Sequence, residues 1–363
     1  MPLYIHNENP NAVVSFLRRA YNPVGFKKGY NAILWFICTG YLLGFTLARI
    51  SYLNLWDQNS SSSFIRNCGP GEIYWIVTSA VYKHGIAIHL CAVIPGSLLA
   101  LFQFVPAIRY KALLAHRVNG YLVYTLTIIS AVGALMVARR AFGGDMAAQT
   151  FSGFLSVYTV IGSFFAYINV KRLQLDQHRA WMIRVWVLMA TIVTLRIIQH
   201  IMMSILTLVG SYYYTILCGQ LAVIASPGFM NSVSSVCAQG GELAYVSVNV
   251  DLGTLPGTIA AMEITFGMAG WIAIAFHVIG VELYLAMTPA ESERLRQLSY
   301  ERQLARGFSR PGTAGLTVDK WGDAEVWVPK TIKGNGDAAM LSSGSSSDLE
   351  DELVKKPQGV YTV

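Results

Sequence analysis

Histidine–arginine pairs stand at two points where a polar loop gives way to a long apolar run. The first pair is His116-Arg117, and the second is His178-Arg179, which opens the segment His-Arg-Ala-Trp-Met-Ile-Arg. Two more histidines, His89 and His200, lie inside apolar runs. Haem b in membrane cytochromes is held by imidazoles from neighbouring helices, so histidines at both ends of a helical bundle indicate haem-type redox chemistry.

The two histidine pairs are not equally suited to hold haem. His89 and His200 are predicted to share one level inside the apolar zone, and we expect them to be the ligands. His116 and His178 are the weaker pair, because their arginine neighbours favour the headgroup level, where arginine binds lipid phosphate and histidine bonds a loop. His178 also lies about 33 Å from His200 along one predicted helix, further than two stacked haems require.

Other ionisable residues within apolar runs are costly in a bilayer and therefore indicate a site. Arg196 is expected to face the bundle interior with Glu263 as its anionic partner, or to hold a haem propionate or a substrate carboxylate. Glu263 and Asp145 are the candidate acids of a membrane-embedded cyclase. Glu282 is expected at the edge of the bundle.

The composition is that of a membrane protein. The chain has 363 residues, of which 54% are hydrophobic and 13% charged, with a mean hydropathy of +0.45. Soluble domains carry about 25% charged residues. The net charge of +7 comes largely from basic residues in short loops between apolar runs, a pattern that reports topology rather than nucleic-acid binding. The predicted partners are the lipid bilayer and a small lipophilic substrate, with no nucleic acid.

Six apolar runs are long enough to cross about 30 Å of hydrocarbon as helices. The predicted fold class is an all-α polytopic bundle with these six helices, flanked by a lead over 1–28 and a tail over 290–363. The predicted helices are 29–49, 74–108, 118–138, 146–170, 180–206 and 257–287. Residues 207–256 are predicted to form a lumenal loop, with a seventh, partial helix near 215–225 as the alternative. The tail is predicted to begin as a basic amphipathic helix and to be disordered beyond about 334.

The distribution of Lys and Arg predicts that both termini are cytosolic, in an endomembrane or the plasma membrane. Asn59 begins an Asn-Ser-Ser glycosylation sequon in a loop that this topology makes lumenal. Cys218 and Cys237 would share the other large lumenal loop and are predicted to form a disulfide, for which Cys68 is the alternative partner.

The stretch from His84 to Met203 resembles a family of uncharacterised multi-pass membrane proteins found in bacteria and fungi. The resemblance rests on His89, the run Gln-Phe-Val-Pro-Ala-Ile-Arg at 103–109, the two His-Arg pairs, and Gly143-Gly144. It implies a fold and a topology but no settled activity. The arrangement of histidines also resembles, in outline, cytochrome b561 and ferric-reductase-like membrane domains. The cysteine-bearing loop and Ser-rich tail are similar to fungal members, some of which occur in terpenoid-type pathways.

Three functional hypotheses follow. The first is a haem-binding transmembrane redox protein. The second is an enzyme or accessory protein of a fungal secondary-metabolite pathway, with Glu263 or Asp145 as acid. The third is a carrier for a small anionic or lipophilic molecule, with Arg196 at its binding site.

Overall fold

A computed structural model describes residues 12–26, 28–54, 68–69, 71–224, 237, 239–250 and 255–330. The chain divides into two compact units, Met1–Glu325 and Val326–Val363. In the second unit, the described stretch Val326–Lys330 has no helix or strand. The first unit contains the whole of the predicted bundle. Six helical spans among the described residues are long and apolar enough to cross a membrane, which confirms the predicted fold class.

The described α-helices are α1 (Ala12–Tyr21), α2 (Gly29–Leu47), α3 (Glu72–Thr78), α4 (Ala80–Gln103), α5 (Pro106–Lys111), α6 (Leu113–Val137), α7 (Met146–Lys171), α8 (Leu175–Met189), α9 (Thr191–Val209), α10 (Cys218–Ile224), α11 (Leu255–Ala286), α12 (Pro289–Leu304) and α13 (Val318–Trp321). The spans are α2, α4, α6, α7, the pair α8 and α9 taken together, and α11. A two-stranded antiparallel sheet joins β1 (Tyr213–Leu217) to β2 (Leu243–Ser247).

The second predicted helix, 74–108, is three helices in the structure. Ser79 has extended backbone dihedral angles between α3 and α4, and its side chain accepts a hydrogen bond from the Tyr82 N–H as the cap of α4. Pro106 begins α5 after a second break, a position where its missing N–H is not needed. Pro95 lies within α4.

Two other predicted helices begin later than the observed ones. α6 begins at Leu113 and α8 begins at Leu175, so both His-Arg pairs lie inside helices rather than before them. The predicted fifth helix is divided at Ala190 into α8 and α9. The predicted alternative of a partial helix near 215–225 corresponds to the short α10, which follows β1 and is not among the six spans.

The centre of the bundle is formed by α7, α9 and α11. Phe151, Leu195 and Phe266 are among the buried side chains that these helices bring together. A Cβ on Gly270 would lie 2.7 Å from the Phe151 ring, so glycine at this position allows α7 to approach α11 closely. The remaining apolar side chains of the spans are largely exposed, as lipid-facing surfaces require.

The bundle has two distinguishable ends. The disulfide end carries the turn at Ala141–Gly144, the β-sheet and a disulfide between Cys218 and Cys237, whose Cα atoms are 5.6 Å apart. The α12 end carries the turn between α7 and α8. The spans run alternately between these ends.

A buried polar network joins α12 and the residues that follow it to the turn between α7 and α8. Gln174 and Gln303 are fully buried, and the Gln303 amide nitrogen donates to the Gln174 side-chain oxygen at 3.1 Å. The Gln303 oxygen accepts from the Gly312 N–H at 2.6 Å. The Ser299 hydroxyl accepts from the Leu175 N–H at 2.8 Å and so satisfies one free donor at the start of α8. Part of the predicted tail is therefore folded against the membrane helices.

Candidate functional site

Glu72, the first residue of α3, is a buried carboxyl group at the disulfide end. It is 7% exposed, and its Oε1 accepts a hydrogen bond from the Phe142 N–H at 2.7 Å. Its Oε2 pairs with the Tyr82 hydroxyl. Burial raises the pKa of Glu72 to about 8, against the lowering effect of the Phe142 N–H. Glu72 is therefore predominantly a neutral acid at pH 7.

Glu263, on α11, is the second buried carboxyl group of this end and is 3% exposed. Its Oε1 accepts from the Gln220 side-chain nitrogen at 2.9 Å. Gln220, itself buried on α10, also donates to the Gly71 carbonyl at 3.0 Å. Gln220 therefore connects the segment that follows the membrane helix α9 to Glu263 and to the turn before Glu72.

The two carboxyl groups line one small cleft. Its walls are Gly69, Gly71, Glu72, Phe142, Ile259, Met262 and Glu263. Apart from the carboxyls and backbone groups, this lining is apolar. A Cβ on Gly71 would lie 2.7 Å from the Gln220 amide nitrogen and 2.9 Å from the Glu263 Oε1, so a side chain there would displace these two groups. The cleft therefore offers two hydrogen-bonded acids in apolar surroundings, an arrangement typical of proton transfer.

The turn at Ala141–Gly144 places the groups that complete the cleft. Phe142 and Gly143 have positive φ values of 50° and 80°, a backbone shape in which Phe142 is unfavourable and glycine is not. This shape accompanies the Phe142 N–H bond to Glu72 and a stack of the Phe142 ring on Phe266, with centroids 4.2 Å apart. A Cβ on Gly143 would collide with the Tyr214 hydroxyl and lie 2.9 Å from the Glu263 Cβ. Burial and Glu263 raise the pKa of Tyr214.

Arg196 lies behind this turn. Its guanidinium carbon is 4.4 Å from the Phe142 ring centroid, and its Nη1 donates to the Gln199 side-chain oxygen at 2.8 Å. Gln199 in turn donates to the Met262 carbonyl at 2.9 Å. The predicted ion pair between Arg196 and Glu263 is wrong for the described part of the chain, because Glu263 is bonded to Gln220 and Arg196 stacks on aromatic rings. The positive charge of Arg196 interacts electrostatically with the Glu72 carboxyl group instead.

The remaining acidic candidates have structural partners. Asp145 caps α7, and its Oδ1 accepts from the Ala148 N–H at 2.6 Å. Glu282 receives two hydrogen bonds from Arg184, at 2.6 and 2.9 Å, towards the α12 end. Asp145 lies near enough to influence Tyr214 and is at the margin of the cleft, whereas Glu282 lies far along α11 from Glu263.

The structure does not bring His89 and His200 together. His89, on α4, places its Nδ1 3.0 Å from both the carbonyl and the hydroxyl oxygen of Ser130 on α6. His200 is exposed on α9, a helix that packs chiefly on α11 rather than on α4. These positions do not fit a haem shared between the two imidazoles, which must face each other across the iron. His116 and His178 lie at the α12 end and influence each other electrostatically.

Sequence reasoning did not select Glu72, Gln220 or Tyr214. Glu72 falls in a polar loop sequence with neighbouring glycines, which is typical of solvated surface. Its burial depends on Phe142, 70 residues away, and no local pattern reports that contact. The predicted glycosylation site Asn59 lies outside the described residues. The predicted disulfide partners Cys218 and Cys237 are joined in the structure.

Comparison with known proteins identifies the general class. Residues 86–227 match a family described as predicted membrane protein (DUF2306). The chain is an integral membrane protein. It is also similar to the Ava biosynthesis cluster protein G of Aspergillus versicolor, with 25% identity over 335 residues that cover 76% of this chain and 95% of the relative. No solved structure matches. These matches give no support to the outline similarity with cytochrome b561.

Proposed function

We propose that this protein is a membrane-embedded enzyme of a small-molecule biosynthetic pathway, in which Glu263 transfers a proton to and from a lipophilic substrate and Glu72 positions the Phe142 turn beside it. The observation that carries the proposal is that two buried carboxyl groups line one apolar cleft. Carboxylic acids in such surroundings stay protonated near pH 7 and act as general acids. The similarity to a biosynthesis cluster protein supports the pathway assignment.

Glu72 and Glu263 have different environments, which suggests different roles. Glu72 is fixed on both oxygens, by the Phe142 N–H and by Tyr82. The one side-chain bond to Glu263 comes from an amide N–H of Gln220, and no described side chain bonds its Oε2. We therefore assign proton donation to Glu263 and positioning of the Phe142 turn to Glu72. Opening of the cleft would require movement of α10, which carries Gln220.

The substrate is expected to be apolar at the reacting atom. Phe142, Ile259 and Met262 offer no charge to a substrate, and the Arg196 cation behind Phe142 is separated from the cleft by that ring. Once opened by movement of α10, such a cleft would accept an alkene, epoxide or carbonyl group of a lipophilic molecule that arrives through the bilayer. Acid-catalysed cyclisation is among the reactions that such a site could catalyse.

Complementation of a deletion strain tests the function. Strains carrying the wild-type chain or Glu263→Gln are compared by metabolite profiling, and membranes from each are supplied with the intermediate that accumulates in the deletion strain. Loss of a carboxyl proton donor slows general acid catalysis by about 100-fold or more. We therefore expect Glu263→Gln to be inactive in both assays while accumulating in the membrane like the wild type.

Glu282→Gln is the matched control, since Glu282 lies on the same helix, is exposed, and pairs with Arg184 away from the cleft. It should retain product formation. If Glu263→Gln retains product formation as well, the proton-transfer role is contradicted. If the deletion strain contains every metabolite of the wild type, the biosynthetic assignment is contradicted.

A haem-type redox function, the first hypothesis from the histidines, has weaker support because His89 and His200 lie on separate helix pairs. It stays a prediction that an absorption spectrum of the purified protein can test. A Soret band that shifts on reduction with dithionite would favour haem over the enzyme proposed above. The carrier hypothesis loses its predicted site, because Arg196 is covered by Phe142 and bonded to Gln199.

A further inference from the structure

The histidines of the two His-Arg pairs are not part of the carboxyl cleft and lie together at the α12 end. His116 lies in the first turn of α6, and His178 in the first turn of α8. Arg109 of α5 acts electrostatically on both histidines. Arg179 follows His178 and reaches α12 through the Ser292 hydroxyl. We call these four residues, Arg109, His116, His178 and Arg179, the cationic cluster.

The histidines of the cationic cluster retain free nitrogen atoms. His178 places its Nδ1 2.9 Å from the Ala166 carbonyl, so this nitrogen carries the hydrogen and Nε2 is left for another partner. The Nδ1 of His116 is buried and has no hydrogen-bond partner among the described residues. A buried ring nitrogen without a partner is unfavourable unless a ligand or water satisfies it.

The arginines of the cationic cluster have hydroxyl and aromatic contacts rather than carboxylates. Within the described part of the chain, neither Arg109 nor Arg179 takes part in an ion pair. Arg179 donates to the Thr288 hydroxyl at 3.2 Å and lies over the Tyr284 ring. Arg109 lies over the ring of its neighbour Tyr110.

Glu291 of α12 is an acidic group that interacts electrostatically with both Arg109 and Arg179, but it already forms an ion pair with Arg294. Both its oxygens accept from Arg294 at 2.8 Å. The hydrogen bond from Arg294 is the main cause that lowers the pKa of Glu291, ahead of the two cluster arginines. Glu291 therefore leaves the cationic cluster with an excess of positive charge.

We propose that the cationic cluster binds the phosphate group of a ligand. A phosphate accepts hydrogen bonds from arginine forks and imidazole N–H groups at once, and the first turns of α6 and α8 add their positive helix ends. Leu113 and Leu114, in the same turn of α6 as His116, are exposed apolar neighbours that an acyl or prenyl chain would follow. The ligand is therefore a phosphate-bearing molecule, either as a lipid headgroup or as a soluble phosphate.

Binding to the full chain in nanodiscs tests the site. The protein is placed in phosphatidylcholine nanodiscs, and its thermal midpoint is followed by tryptophan fluorescence. One series adds increasing fractions of phosphatidic acid, and another adds inorganic phosphate or pyrophosphate to the solution. A lipid source predicts saturable stabilisation by phosphatidic acid alone, and a soluble source predicts stabilisation by the added anions as well.

Arg109→Gln and His116→Gln should each weaken the response about tenfold, the effect of one lost charge-assisted hydrogen bond. Lys111→Gln is the matched control, because Lys111 lies two residues from Arg109 in α5, is exposed and keeps the net charge change the same. Equal weakening in Lys111→Gln would overturn the proposal in favour of diffuse surface charge. Saturable binding unaffected by both Arg109→Gln and His116→Gln, or no response to any of the three probes, would also overturn it. His116→Gln removes no formal arginine charge, so it keeps the test decisive if Arg109→Gln does not fold.

Discussion

Glu72 illustrates how one buried carboxyl group links local geometry to chemistry. It is held by Phe142 and Tyr82 and is surrounded by apolar atoms, so removal of its proton would leave a charge with little solvation. The same burial makes Glu72 a stabilising element at low pH and a destabilising one at high pH. Its effect on the fold can therefore be separated from any catalytic role of Glu263.

The first prediction concerns the pH dependence of stability. The pKa of Glu72 is raised from 4.5 to about 8 in the folded protein, so between these values the folded state binds more protons at this residue than the unfolded state. Linkage then requires that the contribution of Glu72 to the free energy of unfolding is full below pH 4.5 and falls as the pH rises towards 8. Glu72→Gln should flatten this decline.

Thermal unfolding in detergent from pH 5 to 8 measures the difference between the wild type and Glu72→Gln. Glu282→Gln, which alters an exposed carboxyl, should keep the slope of the wild type. A Glu72→Gln protein whose midpoint falls with pH as steeply as that of the wild type would contradict the prediction.

At the scale of elements, buried polar contacts join α12 and the segment after it to the turn between α7 and α8. Gln174, Gln303 and Asn169 are fully buried, and each bonds a backbone group of a facing segment. Fully satisfied polar networks of this kind specify one arrangement of the elements they join. The network fixes the start of α8, the helix that presents His178 and Arg179 to the cationic cluster.

Gln303→Ala should therefore lower the free energy of unfolding by about 2 to 4 kcal/mol, because it leaves buried partners without hydrogen bonds. The partners are the Arg172 carbonyl at 2.9 Å, the Gln174 oxygen at 3.1 Å and the Gly312 N–H at 2.6 Å. Chemical unfolding in detergent, together with limited proteolysis of the segment after α12, provides the measurement.

Arg302→Ala on the same helix is the control for this prediction. Arg302 is the neighbour of Gln303 and is exposed to solvent, so its loss should change stability by less than about 0.5 kcal/mol. Similar losses for the two variants would show that the buried network contributes nothing beyond α12 itself.

At the scale of the whole molecule, the sequence predicts the spans well and the sites poorly. Long uncharged runs can satisfy their backbone in a bilayer only as helices, so their number follows from composition. The break at Ser79 has no glycine or proline beside it, and it depends on how α3 packs. Glu72, Gln174 and Gln303 are polar residues whose burial is decided by contacts far along the chain. The Arg196 partner was mispredicted because depth along a helix does not specify the direction of a side chain.

The six spans lead to a last prediction, about topology. An even number of crossings puts both ends of the span region on one side of the membrane. The α12 end carries the basic residues Arg109, Lys111, Arg117, Lys171, Arg172 and Arg179. The described loops of the disulfide end carry fewer basic residues. The positive-inside rule then places the α12 end in the cytosol. The disulfide between Cys218 and Cys237 favours a lumenal or extracellular position for the other end.

Glycosylation provides the measurement for this topology. Glycosidase treatment should shift the mobility of the wild-type protein and leave Asn59→Gln unchanged, because in the sequence Asn59 stands between α2 and α3, in a stretch that the positive-inside rule makes lumenal. A reporter that is active only in the cytosol should be active when fused after Val363. An engineered sequon at the C-terminus serves as the opposing probe. Its glycosylation would show that the orientation is the reverse of the predicted one. The carboxyl cleft would then face the cytosol, and the cationic cluster could not be reached by cytosolic phosphates.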